Sequence, residues 1–265
     1  VGLLKAKIDA MFNDIDQRFK KDELSDFILM RLADFIAERT GNPRKALPYY
    51  DEVLGRNSNQ FRTMAQFGRA GILSKSDQAA EQNQALDTLK DVLATKDVGR
   101  ETRERATYSI IEVYSKQENW KGVIEQAVAY NQAGFASKNK AHVGLLLGGA
   151  YEKDGNKSKA LAIYASVYTR YKTDWAISIP ALTKAAQFTR TEGKEIKSKS
   201  PKQIAYDMAA QFIRDSTNAY NENKLKMPPE VRKSWEDLRE QVLSWESDAG
   251  IKSLKKQKKE LEAAR

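Results

Sequence analysis

The stretch AHVGLLLGGAYEKDGNKSKALAIYASVYTRYKTD, residues 141–174, divides into two helical halves around Asp154-Gly155-Asn156. Glycine readily takes the left-handed conformation that ends a helix, so Gly155 marks the turn between the halves. Within each half, residues at steps of three and four share one helix face. These residues are Leu147, Gly148 and Tyr151 in the first half, and Ala160, Tyr164 and Val167 in the second. Large residues facing small ones let two antiparallel helices approach closely, so the stretch predicts a helix hairpin.

The same arrangement recurs along the chain. Small residues equivalent to Ala160 are Ala46, Ala85 and Val123, so the four positions are 39, 38 and 37 residues apart. The turn Gly41-Asn42-Pro43 adds three boundary signals: Gly to end one helix, Asn to cap the next and Pro at its first position. This recurrence predicts a series of helix pairs.

The order of Leu147-Gly148, Tyr151, Gly155, Ala160 and Tyr164 resembles the tetratricopeptide repeat (TPR), whose unit has roughly 34 residues. The resemblance implies an all-α fold, a TPR-like α-solenoid in which antiparallel helix pairs form a right-handed superhelix. Residues 1–220 would form the repeats and residues 221–265 a C-terminal capping helix with a basic tail. The second unit departs most from the pattern, because its predicted turn, Ser74 to Asn83, is long and polar. The expected units are about 25–58, 60–96, 101–132 and 141–174, followed by a degenerate pair at 175–220.

Both ends of the chain carry amphipathic segments. The apolar residues of the segment 2–19 lie on one face, which predicts a helix that is either the second helix of a truncated repeat or an N-terminal cap. After Pro229, an apolar seam recurs at steps of three and four. Terminal repeats need such a cover for their exposed face. The seam consists of Val231, Trp235, Leu238, Val242 and Trp245.

Composition excludes several kinds of chemistry. The chain has no cysteine, which rules out disulfides and thiolate catalysis, and its one histidine, His142, disfavours His-based metal sites and Ser-His-Asp catalysis. No segment approaches the roughly 18 apolar residues of a membrane span. A formal charge of +9 from 45 basic and 36 acidic residues indicates a solvated surface with a basic bias. We therefore predict no catalytic residue, no metal ligand and no cofactor.

The resemblance also implies a partner-binding groove, because first helices of TPR pairs line a concave face. Four arginines would form a basic stripe suited to carboxylates. Ordinary solvated arginines explain the same pattern equally well. Asn residues that hold a peptide C-terminus in some TPR proteins have no counterpart here. The predicted groove residues are Arg31, Phe35, Arg62, Arg69, Arg105, Tyr108, His142 and Leu145.

These features predict a non-catalytic scaffold or adaptor that presents its groove to a protein or peptide partner with an acidic segment. The second-helix pattern at residues 160–171 resembles the TPRs of BamD-like and CpoB-like bacterial envelope proteins, although Lys172 stands where those usually have Pro. That resemblance implies a periplasmic or envelope location rather than a cytoplasmic one.

Two alternatives stay open. One is a helical accessory domain of an enzyme whose catalytic module lies outside this chain. The other is a nucleic-acid-binding helical repeat, suggested by the lysine-rich segments 194–202 and 252–259. We rank nucleic acid last because neither segment interleaves the aromatics that stack on bases.

Overall fold

The computed structural model describes residues 10–11, 13–15, 17–39, 41–56, 60–96, 98–194 and 199–246. These residues are mostly helical and include no β-strand, which confirms the all-α prediction. Most of the predicted N-terminal helix at 2–19, the centre of the lysine-rich loop and the basic tail lie outside the described residues.

The described chain forms two compact units, with a boundary between Asn119 and Trp120. Unit 1 comprises residues 1–119 with 133–135, and unit 2 comprises residues 120–132 with 136–265. Helices pack against their neighbours in sequence within each unit. The helices of unit 1 are α1 (Asp26–Arg39), α2 (Leu47–Gly55), α3 (Arg62–Leu73), α4 (Ala79–Ala94) and α5 (Arg100–Lys116), with short 3-10 helices at Lys21–Glu23 and Pro43–Ala46. Those of unit 2 are α6 (Trp120–Gln132), α7 (Lys140–Lys153), α8 (Lys157–Arg170), α9 (Trp175–Glu192), α10 (Pro201–Asn223) and α11 (Pro229–Trp245).

Turns form where the sequence predicts them. Gly41 and Gly155 have φ values of 71° and 78°, in the left-handed region that glycine tolerates. Asn156 caps α8, since its side-chain oxygen accepts the Lys159 N–H at 3.2 Å. Asn42 stands at the equivalent position but makes no side-chain cap bond, and the chain enters α2 through the 3-10 helix instead.

The predicted turn from Ser74 to Asn83 is wrong in its second half, because α4 already begins at Ala79. Polar residues there serve the helix start. The Ser76 hydroxyl accepts the Gln78 N–H at 3.1 Å, and the Gln82 side-chain amide donates to the Ser76 carbonyl at 2.8 Å. These side-chain bonds fold the polar run into a helix rather than extending the loop.

The four recurring small positions are all buried completely. Ala46 ends the 3-10 helix, whereas Ala85, Val123 and Ala160 lie within α4, α6 and α8. Pro180 lies inside α9, which continues through it to Glu192.

Helix α11 packs on α9 and α10. Its seam residues Trp235, Leu238, Val242 and Trp245 are buried, and Val231 is half-buried. The Trp235 indole N–H donates to the Ser216 hydroxyl at 2.7 Å, and its ring stacks on Tyr220 with centroids 3.9 Å apart. A hydrogen bond and an aromatic stack thus fix α11 against α10.

A close approach in unit 2 joins α7 to α8. The Tyr164 ring lies against Gly148, where an added Cβ would stand 2.7 Å from a ring carbon. The ring has little freedom to move, because its hydroxyl donates to Glu152 Oε2 at 3.0 Å and its other neighbour is Phe188. Gly149, the next residue, has only the Tyr164 hydroxyl oxygen near its Cβ position, at 3.7 Å.

The two glycines make a matched pair for mutagenesis. Gly148→Ala should lower the free energy of unfolding by about 1–3 kcal/mol relative to Gly149→Ala, because overpacking displaces the Tyr164 ring. Gly149→Ala should be neutral or stabilising by up to about 1 kcal/mol, since alanine favours the helix. Urea unfolding of both variants and the wild type measures the difference. Equal stability of the two variants would contradict this packing.

Candidate binding cleft

Unit 1 contains a cleft of about 600 Å³. It is bounded by α1, the Pro43–Ala46 segment, α3 and α5, with contributions from α2, α4 and the connection after α3. Its ionisable lining residues are Asp34, Glu38, Arg44, Tyr50, Lys75, Arg105 and Glu112.

The floor of the cleft is a tyrosine pressed against a glycine. Tyr50 of α2 is almost fully buried, and an added Cβ on Gly68 of α3 would lie 2.3 Å from its ring. The Tyr50 hydroxyl donates to Asp34 Oδ1 of α1 at 2.8 Å. Burial, together with the Asp34 and Glu38 carboxylates, raises the pKa of Tyr50 above its ordinary value. Tyr50 therefore remains a neutral hydrogen-bond donor that fixes α1, α2 and α3 together.

One turn further along α3, Gly71 faces open space. No heavy atom lies within 4 Å of the position that its Cβ would take, and Gly71 lines the cleft. A glycine in a helix interior costs about 1 kcal/mol relative to alanine. Packing within the fold does not require glycine at residue 71. The glycine therefore leaves the helix backbone open to the cleft.

A cation and an aromatic ring form one wall. The Arg105 guanidinium of α5 lies over the Phe67 ring of α3, 4.4 Å from the ring centroid. Arg105 is exposed and Phe67 is buried. Stacking of this kind holds the guanidinium plane in place while leaving its N–H groups available. The wall can thus present a positioned cation to a ligand in the cleft.

Arg44 and Glu112, which also line the cleft, are already engaged. Arg44 donates through both terminal nitrogens to the two carboxylate oxygens of Glu81. Hydrogen bonds from Arg44 and from Ser76 hold the pKa of Glu81 at about 2, well below the ordinary value. Glu112 accepts a bond from Tyr108 at 2.9 Å. The lining as a whole combines three carboxylates with three cations, so it differs from a purely basic stripe.

Of the predicted groove residues, the structure places Arg105 in this cleft. Tyr108 adjoins it through its bond to Glu112, whereas Phe35 is half-buried and lies outside the lining. Arg31 lies over the Phe27 ring at 5.5 Å, and Arg62 donates to the Leu54 carbonyl at 3.4 Å. Neither of these arginines lines the cleft.

The Arg69 side chain contacts α2 and α4 of unit 1. It donates to Asp51 Oδ1 of α2 at 2.7 Å and reaches Thr88 and Gln84 of α4, each at 3.4 Å. A long side chain on a helix can reach partners on other helices. Here Arg69 forms an ion pair with a carboxylate on α2. Of the four arginines, Arg105 thus lines the cleft, and the other three do not. Whether each predicted residue touches a partner stays a prediction.

The last two predicted residues belong to unit 2. His142 is half-buried in the first turn of α7. Leu145 packs, partly buried, against the core around Ala160 and Tyr164. Neither residue lines the cleft of unit 1.

Tyr50 is buried beneath the cleft, a position that its helical periodicity does not indicate. The available signal was the Gly68-Arg-Ala-Gly71 spacing, which puts two glycines one turn apart on α3. Asp34 and Glu112 carry no such signal, because exposed acidic residues are common on helices.

The chain matches no family model, and comparison with curated proteins finds no match. No helix in the described ranges has the length and apolar character needed to cross a bilayer. The same ranges contain no group of three or more His, Asp or Glu residues arranged to hold a metal ion.

The pairing of Arg44 with Glu81 can be measured directly. A ¹³C NMR titration of the side-chain carboxyl should give Glu81 a pKa of about 2 in the wild type. In Arg44→Gln this pKa should rise toward the ordinary glutamate value, because the carboxylate loses its principal donor. Arg103→Gln removes an equal charge from an exposed site on α5 and should leave the Glu81 pKa unchanged. A normal Glu81 pKa in the wild type would show that Arg44 is available to ligands.

Proposed function

We propose that this protein is a non-catalytic interaction scaffold whose unit 1 cleft holds an extended segment of a partner protein. The observation that carries the proposal is the opening at Gly71, where bare helix backbone lies in the same cleft as the Arg105–Phe67 wall. The proposal includes the TPR-like identity of the helix pairs and an envelope location, both of which rest on the sequence resemblance.

The dimensions of the cleft favour a short stretch of polypeptide. Its volume of about 600 Å³ lies within the range of about 300–1,000 Å³ that accommodates small ligands and side chains. A bare glycine backbone allows a second chain to approach more closely than any side chain would. Partner residues with small side chains would therefore fit opposite Gly71.

Charges along the cleft favour a segment that carries both signs. Arg105 is suited to an acidic partner side chain, consistent with the acidic segment that the sequence predicts. Glu38 lies on α1 and is exposed, so it can receive a basic partner residue. Such charges orient a segment and accelerate its encounter more than they tighten its binding.

The role of α11 as a terminal cap is part of the same proposal. Two buried tryptophans on α11 cover apolar surface of α9 and α10, as the terminal helix of a repeat array must. This cover would leave the rest of the chain free to present binding surface.

Selection of peptides from a random displayed library on the full chain tests the proposal. Peptides recovered on the wild type should bind Gly71→Leu at least about tenfold more weakly, a loss of about 1.4 kcal/mol, because the leucine side chain fills the cleft. Arg105→Gln should weaken acidic peptides by only a few-fold, about 0.2–1 kcal/mol, as expected for an exposed pair. Fluorescence anisotropy at two salt concentrations measures both effects.

Gly55→Leu is the matched control. Gly55 also has no heavy atom within 4 Å of its Cβ position, but it lies at the end of α2 and outside the cleft. Gly55→Leu should keep wild-type affinity. The proposal fails if selected peptides bind Gly71→Leu as tightly as the wild type, or if selection yields no peptide that distinguishes the two leucine variants.

A further inference from the structure

A second cleft, of about 290 Å³, lies within unit 2 among α6, α7 and α8. Gly144 lines this cleft, and an added Cβ there would lie 2.6 Å from Val167 Cγ2, so α7 and α8 approach closely at this point. Leu147 and Ile163 add apolar surface to the lining. Apolar residues thus form part of the cleft, beside polar ones.

The polar part of this cleft is entirely cationic or neutral. Lys140 of α7 and Arg170 of α8 both line it, and no aspartate or glutamate does. Within the described part of the chain, neither cation forms an ion pair. This differs from the unit 1 cleft, where Arg44 is paired with Glu81 and three carboxylates contribute to the lining.

Neutral donors accompany the two cations. Ser166 and Tyr171 supply hydroxyls and Asn131 supplies an amide. Helix α7 begins at Lys140, so the partial positive charge of its N-terminus lies beside this cation.

We propose that this cleft binds a small phosphate monoester, with the phosphoryl group held by Lys140 and Arg170 and the organic group against Leu147 and Ile163. A phosphoryl group carries a charge of about −1.5 to −2 at pH 7 and three acceptor oxygens, which matches two cations and several neutral donors. A carboxylate carries half that charge and two oxygens. The planar fork of Arg170 can bond two phosphoryl oxygens at once, while Lys140 acts as a point charge.

The size of the cleft restricts the ligand further. A volume of about 290 Å³ is at the lower limit for ligand sites, so it suits a phosphoryl group with a compact organic body. The site is independent of the proposed partner cleft in unit 1, since the two share no residue.

Phenyl phosphate and benzoate are the probes for this site. Both carry a phenyl ring, but phenyl phosphate is a dianion above its second pKa of about 6, whereas benzoate is a monoanion. Titration of the ¹⁵N-labelled full chain should shift the amide signals of Ser166, Arg170 and Tyr171 with phenyl phosphate. Inorganic phosphate should shift the same signals at higher concentration, because it lacks the apolar contact. Benzoate should bind at least about fivefold more weakly than phenyl phosphate, since it offers fewer charge-assisted bonds.

Two double variants separate the site from general charge attraction. Lys140→Gln with Arg170→Gln should weaken phenyl phosphate binding about tenfold or more, because charge-assisted bonds are lost. Lys121→Gln with Lys153→Gln removes the same charge from exposed positions on α6 and α7 that do not line the cleft, and should bind as the wild type does. Equal weakening in both double variants would overturn the proposal, as would benzoate binding equal to that of phenyl phosphate. Shifts confined to other residues would overturn it as well.

Discussion

A tyrosine ring pressed against glycine backbone, with its hydroxyl bonded to a carboxylate, is the contact on which both units depend. In unit 1, Tyr50 of α2 packs on Gly68 of α3 and donates to Asp34 of α1, so one side chain connects three helices. In unit 2, Tyr164 of α8 packs on Gly148 and donates to Glu152, both on α7. There the third helix is reached by Glu152 itself, which accepts a bond from Lys184 of α9 at 2.8 Å. Each unit thus solves the same packing problem with a different third partner.

Each cleft is lined by a glycine at a close approach of two helices. A glycine beneath a side chain brings two helices close together. That side chain does not fill the space beside the contact, which stays open. Gly68 is covered by Tyr50 while Gly71, one turn away, is uncovered, and Gly144 touches Val167 at the base of the second cleft. Charge then distinguishes the two openings. Mixed charges line the first, which favours polypeptide, whereas cations alone line the second, which favours a compact anion.

Much of the helical framework could be predicted from sequence because it depends on local signals. Glycines with positive φ end helices at Gly41 and Gly155, and the recurring small residues from Ala46 to Ala160 are buried as their spacing indicates. The candidate site was less accessible to prediction. Periodicity identifies which face of a helix is apolar, but it does not determine the partner of a long side chain such as Arg69, which a carboxylate on another helix captures. Periodicity likewise does not reveal the side-chain bonds within residues 74–82. Because of these bonds, a helix begins where the sequence predicts a loop.

The hydrogen-bonded tyrosine hydroxyls make the stability of this fold depend on pH in the alkaline range. Burial and the adjacent carboxylates raise the pKa values of Tyr50 and Tyr164 above the ordinary range, and that of Tyr206 to about 12. An unfolded chain releases these protons near the ordinary tyrosine pKa of about 10, whereas the folded chain retains them. The advantage of the protonated hydroxyls is therefore complete below about pH 10 and is lost as the pH rises above that value. We therefore expect the contacts that hold three helices together at neutral pH to lose their stabilising effect in alkaline solution.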